Sequence, residues 1–435
     1  MLKDKNLGSK TVITFGLKLA SVSLNFAIGV LVAQILGVNG FGAYSFIIAW
    51  VNILATIFVF GLDQVLMREL AANISLGKWD LAKGLLLFVH IIVAIGALIG
   101  AAIFYAYLVG IQPLDSFEVG IYLGLTSAIA LYFRAQMYVQ QREMRGIGLV
   151  LMGQLPELFY RPILFSIPLA VLYFYYETNN LTIILALFAA SFGIAYFIGL
   201  VQCRRAYPSE LKTKTPEFHF QQWTNSGKSF WGINVLSVVV RELDVILLGF
   251  LSSLSDAAIY AVIKRSIMFF AFGSTSVNMV FAPSLASAHS SQKTDRLANL
   301  YGLATGWGFL LSLPILLGLV ALGDYLLGFF GEEMKIGYQA LLLVGLGELV
   351  QLILGPAMLA LNMTGKEKVS IRILAFSAFI KVILSIYLIP EHGFMGAAIA
   401  SVITLAIQYL LASIYLYKHI GLSPVVLKRV LPHRL

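Results

Sequence analysis

The sequence predicts an all-α polytopic membrane protein of about twelve transmembrane helices, arranged as two halves of six. Three observations predict it. Apolar residues make up 59% of the 435-residue chain and charged residues 12%, with a mean hydropathy of +0.88; a soluble chain of this size carries about 25% charged residues. Apolar stretches of about 20 residues, enough to cross a hydrocarbon core as a helix, recur along the whole chain. Lysine and arginine are concentrated on alternate connections between those stretches. Lipid cannot satisfy an open backbone, so the stretches must be helices.

Twelve spans are placed, at 12–36, 42–66, 84–109, 117–139, 147–174, 181–203, 229–251, 257–282, 298–322, 338–361, 369–389 and 394–417. The first follows Lys3, Lys5 and Lys10. The second closes on Asp63, with Arg68 just beyond it. The third follows Lys78 and Lys83, and the fourth runs out into Arg142 and Arg145. The fifth contains Pro156, Pro162 and Pro168, which kink it. The sixth ends before Arg204 and Arg205. The seventh is interrupted by Arg241, Glu242 and Asp244, and the eighth carries Lys264 and Arg265. The ninth follows Lys293 and Arg296, the tenth ends before Lys366 and Lys368, the eleventh contains Lys381, and the twelfth ends before Lys418. With the N-terminus inside, 21 lysines and arginines fall on inside segments and one, Lys335, outside; the other eight of the 30 lie in spans. The asymmetry puts both termini in the cytoplasm and requires an even number of spans. Aromatic runs at span ends, Tyr173-Phe174-Tyr175-Tyr176 and Phe329-Phe330, read as interfacial belts.

The net charge of +9 is therefore mostly positive-inside charge, and no nucleic-acid partner is expected. Cys203 is the only cysteine, so no internal disulfide forms. The six histidines show no metal-ligand spacing. No phosphate loop, nucleophile motif or cofactor site is found, and no cleavable leader is expected, because the first apolar stretch is long enough to span.

The longest connection, Arg204 to Lys228, is polar and divides the chain into a six-helix lobe at 1–205, a cytoplasmic linker at 206–228 and a second six-helix lobe at 229–435. A shift of 216 residues lays Gly42-Ala43-Tyr44-Ser45 on Ala258-Ile259-Tyr260-Ala261 and Leu70-Ala71-Ala72 on Ala286-Ser287-Ala288. Six spans per half give a parallel repeat, with a substrate site expected between the halves.

Charges inside the spans are costly, roughly 2.5–3.5 kcal/mol each at a bilayer centre on insertion scales. The cations are Lys18, Arg134, Arg161, Arg241, Lys264, Arg265, Arg372 and Lys381; the acids are Asp63, Glu157, Glu242, Asp244 and Glu348. The excess of cations is expected in a lumen that accepts an anion. Arg134 and Arg372, near inside ends, can snorkel. Glu157 and Arg161 are spaced to pair on one helix face. Arg241 and Asp244 can pair likewise, leaving Glu242 to Lys264 or Arg265. Lys381 has no acid near it in its own helix. The expected substrate-binding residues are Lys18, Arg161, Arg241, Lys264, Arg265 and Lys381; Asp63, Glu157, Glu242 and Asp244 are expected to position them or to bind a coupling ion. Asn25, Asn52, Gln136, Gln154, Asn234, Asn278 and Gln351 add amides within the spans.

Several segments together resemble a known family. Leu36-Gly37-Val38-Asn39-Gly40-Phe41-Gly42-Ala43-Tyr44 looks like the first outside loop of bacterial polysaccharide flippases, and Gly61-Leu62-Asp63-Gln64 with Met67-Arg68-Glu69-Leu70-Ala71 like their second-span exit. Asp244 to Leu251, Tyr260, Pro283 and Leu285 are similar to their seventh- and eighth-span pattern, with Ile259 where that family often has glycine. The resemblance is to the oligosaccharide-flippase branch of the multidrug/oligosaccharidyl-lipid/polysaccharide exporter superfamily. It implies a V-shaped, alternating-access transporter with spans 1, 2, 7 and 8 lining a cleft. The implied substrate is a polyprenyl-diphosphate-linked oligosaccharide, an O-antigen or other surface polysaccharide repeat unit, carried to the outer leaflet of a bacterial inner membrane. A proton or sodium ion is the expected coupling ion. The expected partners are the lipid bilayer and polysaccharide polymerase and chain-length machinery, and the expected state is a monomer. Lipid II flippases of the superfamily have fourteen spans, which argues against that substrate. A multidrug antiporter is the alternative, though cationic drugs call for an acidic cavity. A membrane glycosyltransferase or polymerase would need a sizeable outside loop, and the outside loops here are short.

Overall fold

The computed structural model describes residues 5–110, 117–176, 178–291 and 294–422. Every regular element among them is helical. The helices are α1 (Lys5–Phe58), α2 (Leu62–Ser75), α3 (Trp79–Gly110), α4 (Phe117–Gly146), α5 (Val150–Leu155), α6 (Arg161–Tyr175), α7 (Leu181–Ala206), α8 (Ser209–Thr213), α9 (Phe220–Leu251), α10 (Leu254–Ser290), α11 (Thr294–Gly328), α12 (Tyr338–Leu354), α13 (Ala357–Met363) and α14 (Glu367–Ile420). A π turn, Pro156–Tyr160, joins α5 to α6.

The chain is a multi-pass membrane protein. Seven helical segments among the described residues are long and apolar enough to cross a bilayer, α5 and α6 counting as one through the π turn. Two of them, α1 and α14, are each divided in two by a glycine with positive φ: Gly37 at +67° and Gly393 at +52°. α4, α9 and α10, at 30, 32 and 37 residues, also exceed the roughly 20 residues that a crossing needs, but carry more polar groups. Most of each of the twelve expected spans is helical. The exposed stripe Ile91, Ile95, Leu98, Ile99 and Ile103 on α3 is a lipid-facing surface. Tyr173 to Tyr176 are exposed as a belt requires, whereas Phe330 is buried, so only Phe329 of that pair faces outward.

Two spans are broken where continuous helix was expected. Span 42–66 ends as helix at Phe58, because Phe60 (φ +55°) and Gly61 (φ +68°) turn left-handed before α2 begins. Span 338–361 breaks at Gly355 (φ +73°), where Pro356 has no N–H with which to continue α12. The 216-residue shift holds for the elements. It lays α3 on α11, α4 on α12–α13, α5–α6 on the first part of α14, and α7 on the second part. It does not hold for the break at Gly61, which falls inside the continuous α10.

The fold divides into two compact units, Met1–Glu242 and Leu243–Leu435. The division lies within α9 rather than in the polar connection 206–228. That connection packs onto the first unit: Leu211 and Trp223 are buried in its core with Leu66, Leu85, Phe88 and Val89, and Glu217 N–H donates to the Asp80 carbonyl. The core of the second unit gathers Leu285, Leu297, Tyr301, Leu361 and Leu416.

Candidate functional site

The site in the first unit is built by the break before α2. Gly61 approaches α9 so closely that a Cβ there would lie 2.5 Å from the Gly227 carbonyl oxygen and the Trp231 nitrogen. Only glycine combines that approach with positive φ. The Trp231 indole N–H donates to the Ile57 carbonyl (2.8 Å), which also accepts from the Phe60 N–H (3.2 Å), and this ties the end of α1 to α9. α2 then starts against α9, with Asp63 in its first turn, where the helix dipole favours a carboxylate.

Asp63 is buried and opens onto a cavity of about 210 Å³ lined by Thr56, Val59, Tyr138, Arg142, Asn234, Ser237, Val238 and Arg241. Arg142 Nε lies 3.3 Å from Asp63 Oδ2, and the Asn234 amide donates to Oδ1 at 3.4 Å. Arg142 Nη2 bonds to nothing among the described residues. Arg241 is largely exposed, with Nε 3.5 Å from Glu242; Glu242 also accepts from Asn52 at 3.3 Å. Two guanidinium groups, one carboxylate already held by arginine, and amide and hydroxyl groups therefore meet around one small volume. Such a lining attracts an anion and offers it forked donors.

A second polar cluster in this unit lies at the π turn. Pro156 and Pro162 bracket a turn wider than α, the kind of defect that concentrates at functional positions. Glu157 accepts from Arg134 (3.1 Å) and Gln141 (2.9 Å). Arg134 stacks over Tyr138 and Phe192, 4.7 and 5.4 Å from their centroids. Arg134 thus points into protein and does not snorkel. The bonds of the expected Glu157–Arg161 pair go elsewhere: Arg161 donates to Asn25 at 2.9 Å and lies over Phe192. The wide turn rotates the i,i+4 register on which the expected pairing depended.

In the second unit Asp244 and Lys381 are both buried and form an ion pair at 2.7 Å. Ser401 donates to Asp244 at 3.3 Å and shares a 2.8 Å hydrogen bond with Tyr260. Asp244, expected opposite Arg241, is bonded to α14 instead, and Lys381 draws its acid from α9 rather than from its own helix. Lys264 and Arg265 lie half-buried on α10, and Lys18 half-buried on α1. Of the sequence-derived site residues, the cavity brings together Asp63 and Arg241. It adds Arg142 and Tyr138, which sequence reasoning missed, and Asn234, which it had noted as a membrane amide. Arg142 had been counted as inside-loop charge; its place three positions after Val139 in a continuing amphipathic α4 was the available signal. Also missed was a buried Glu143 that accepts from Tyr207 and meets His90 at 2.9 Å. Burial and the Glu143 carboxylate hold the Tyr207 phenol well above its usual range, so it remains a donor.

Residues 232–387 match the MatE family model. The chain is 27% identical over 217 residues to the probable flippase AglR of Haloferax volcanii, covering 49% of this chain and 45% of that one. It is 23% identical over 185 residues to the probable low-salt glycan biosynthesis flippase Agl15 of the same organism, covering 42% and 39%. These matches take in less than half the length of either relative. Among solved structures, an inward-facing multidrug resistance MATE family transporter of the MOP superfamily superposes with a TM-score of 0.75 at 12% identity, over 92% of this chain and 94% of that one. The lipid II flippase MurJ, in an inward closed conformation, superposes at 0.74 and 16%, over 93% and 87%. The chain has the fold of these transporters.

Proposed function

We propose that the protein is a flippase for a polyprenyl-diphosphate-linked oligosaccharide, carrying the head group from the cytoplasmic to the outer leaflet while the prenyl tail stays in lipid. The observation that carries this reading is the cavity of about 210 Å³ faced by Arg142 and Arg241. Drug-sized ligand pockets run to about 300–1,000 Å³. This one is smaller, suited to a diphosphate and not to the glycan, which would lie beyond it. The flippase relatives support the lipid-linked glycan class. Since Agl15 is by name a flippase of low-salt glycan biosynthesis, we do not restrict the substrate to O-antigen. On this reading lobes 1–205 and 229–435, joined by 206–228, alternate access as a monomer in the cytoplasmic membrane with both termini inside. Polymerase and chain-length proteins act on the product.

The multidrug reading fits less well. A cationic drug needs free carboxylates, and the one carboxylate in the cavity is already held by Arg142. The test is binding of inorganic diphosphate to the purified protein by calorimetry, run beside surface-glycan display in cells that lack the native gene. Arg142→Ala should weaken diphosphate binding about tenfold or more, since one charge-assisted bond contributes about 1.5–3 kcal/mol. Unchanged binding and normal surface glycan from a well-expressed Arg142→Ala, Arg241→Ala double variant would sink the reading.

A further inference from the structure

The break before α2 also shapes a larger cavity in the first unit, of about 460 Å³. Phe60 and Leu62 line it from the break, Phe88 and Ile92 from α3, and Trp231 from α9. Phe60 is the one non-glycine residue with positive φ (+55°) among the described residues. A bulky side chain adopts that conformation only under strain, and such strain gathers where a position has a use. The Phe60 ring sits on Gly96 of α3, where a Cβ would come within 2.5 Å of it. The strained turn thus sets an aromatic ring, 37% exposed, as a wall of the cavity. Trp231, 39% exposed, is another wall, fixed by its bond to the Ile57 carbonyl. The cavity is a groove beside lipid: Leu87 and Ile91, next to Phe88 and Ile92 in the chain, are exposed on the apolar face of α3.

An apolar groove of this size suits a hydrocarbon chain. Its one charged lining residue is Lys228. The other polar groups of the lining are committed: the Thr224 hydroxyl donates to the Phe220 carbonyl (2.9 Å), and the Trp231 indole to Ile57. Neighbouring cations are committed too. Arg68 bonds to Glu69 (2.8 Å) and Ser226 (3.3 Å), and Lys83 donates to the Lys214 carbonyl (2.6 Å). Lys228 is exposed and makes no hydrogen bond or ion pair among the described residues. It stands just before the seventh span, at the end that the lysine and arginine asymmetry predicts to be cytoplasmic, and that leaflet presents anionic headgroups. A free ammonium beside a hydrocarbon slot complements a lipid phosphate above its chain. One lysine matches the single charge of a phosphodiester, whereas two arginines face the other cavity. Gly61, packed on Gly227 and Trp231, lies between the two cavities. A chain in the groove therefore belongs to a different molecule from a head group held by Arg142 and Arg241.

We propose that this groove binds one acyl chain of an anionic glycerophospholipid of the inner leaflet, with the lipid phosphate on Lys228, and that the bound lipid clamps the Phe60–Gly61 break against α9. The chain packs on Phe60, at the break, and on Trp231, which ties α9 to the end of α1. It fills the apolar volume that the strained turn leaves beside the membrane. The lipid is a bound component of the protein and is not the transported molecule, so the site does not depend on the flippase reading.

The experiment is quenching of tryptophan fluorescence in phosphatidylcholine vesicles that contain rising fractions of phosphatidylglycerol brominated on its acyl chains. Brominated phosphatidylcholine in its place is the comparison. Trp231→Phe reports the other four of the five tryptophans. Quenching of wild type by brominated phosphatidylglycerol should include a part that saturates at low mole fraction, and Trp231→Phe should lose that part. Lys228→Gln should weaken the preference for phosphatidylglycerol about fivefold, the size of one interaction between a lysine and an anionic headgroup. Ile92→Phe, which fills the groove, should abolish the saturating part. Hydrogen exchange of residues 57–64 in wild type should be slower with phosphatidylglycerol present than in phosphatidylcholine alone. Equal quenching of wild type by the two lipids, or an unchanged preference in Lys228→Gln, overturns the site. Displacement of brominated phosphatidylglycerol by a polyprenyl phosphate at equal mole fraction overturns the phospholipid as occupant. Exchange at 57–64 that ignores the lipid overturns the clamp. The wild-type comparisons stand even if a variant folds poorly. No readout involves diphosphate, so failure of the substrate reading leaves the lipid site in place.

Discussion

Among single residues, the pair Asp244–Lys381 carries the largest expected energetic effect. Both side chains are under 10% exposed, so removing one leaves a buried charge unmatched. Lys381→Met should cost about 3–5 kcal/mol, read as a lower thermal midpoint in detergent. Lys381→Met combined with Asp244→Asn should recover part of that loss, because no unmatched charge remains, and a double-mutant cycle measures the coupling. Equal loss in the single and double variants would mean that the pair is not coupled. Tyr207 gives a pH test of the same kind. Its phenol titrates above the unfolded value of about 10, so its contribution is complete below that pH and disappears as pH rises through the folded value. Tyr207→Phe should lose about 1–3 kcal/mol at neutral pH by leaving Glu143 short of a donor. The variant should also show a flatter decline in stability than wild type in alkaline buffer.

For helices and their ends, what was legible in the sequence separates from what was not. Span positions were legible because lipid admits only helix, so an apolar run of the right length has one reading. The break at Phe60–Gly61 was not, because Gly61 lies within an apolar run and its left-handed turn depends on α9 arriving from 166 residues further along the chain, at Gly227. For the same reason Asp63 was legible as a membrane acid but not as the wall of a cavity. Asp244 and Lys381, 137 residues apart, could not be paired by spacing on one helix. Gly61→Ala tests the break directly. The strain of a positive φ costs about 1–3 kcal/mol, and the added methyl must also push α2 away from α9. Both stability and diphosphate binding should fall, whereas Gly77→Ala, at φ +69° with nothing nearby, should lose stability alone. Trp223→Ala should cost about 3–5 kcal/mol and make 206–228 a preferred site of protease cleavage, since that side chain is the main anchor of the connection to the first unit.

For the whole molecule, the orientation of the chain decides whether the cavity can do what is proposed for it. A head group captured from the inner leaflet must meet Arg142 and Arg241 from the cytoplasmic side. Arg142 lies near the end of α4, close to the connection at 147–149, and α2 leads from Asp63 to the connection at 76–78; the lysine and arginine asymmetry predicts that both connections are inside. Cys203 is the only cysteine and is buried, so a Cys203→Ala background suits labelling with single introduced cysteines. Leu76→Cys and Lys366→Cys report on inside connections, and Asn179→Cys and Ile336→Cys on outside ones; all four positions are exposed. A membrane-impermeant thiol reagent added to intact cells should label 179 and 336 at once, and 76 and 366 only after permeabilisation. Labelling of 76 and 366 in intact cells, with 179 and 336 protected, would invert the chain and turn the arginine cavity to the outside. Capture of a head group from the cytoplasmic leaflet would then fail whatever the affinity of the cavity for diphosphate. A mixed result, with 76 and 179 on one side, would break the alternation of spans in the first unit and with it the count of twelve.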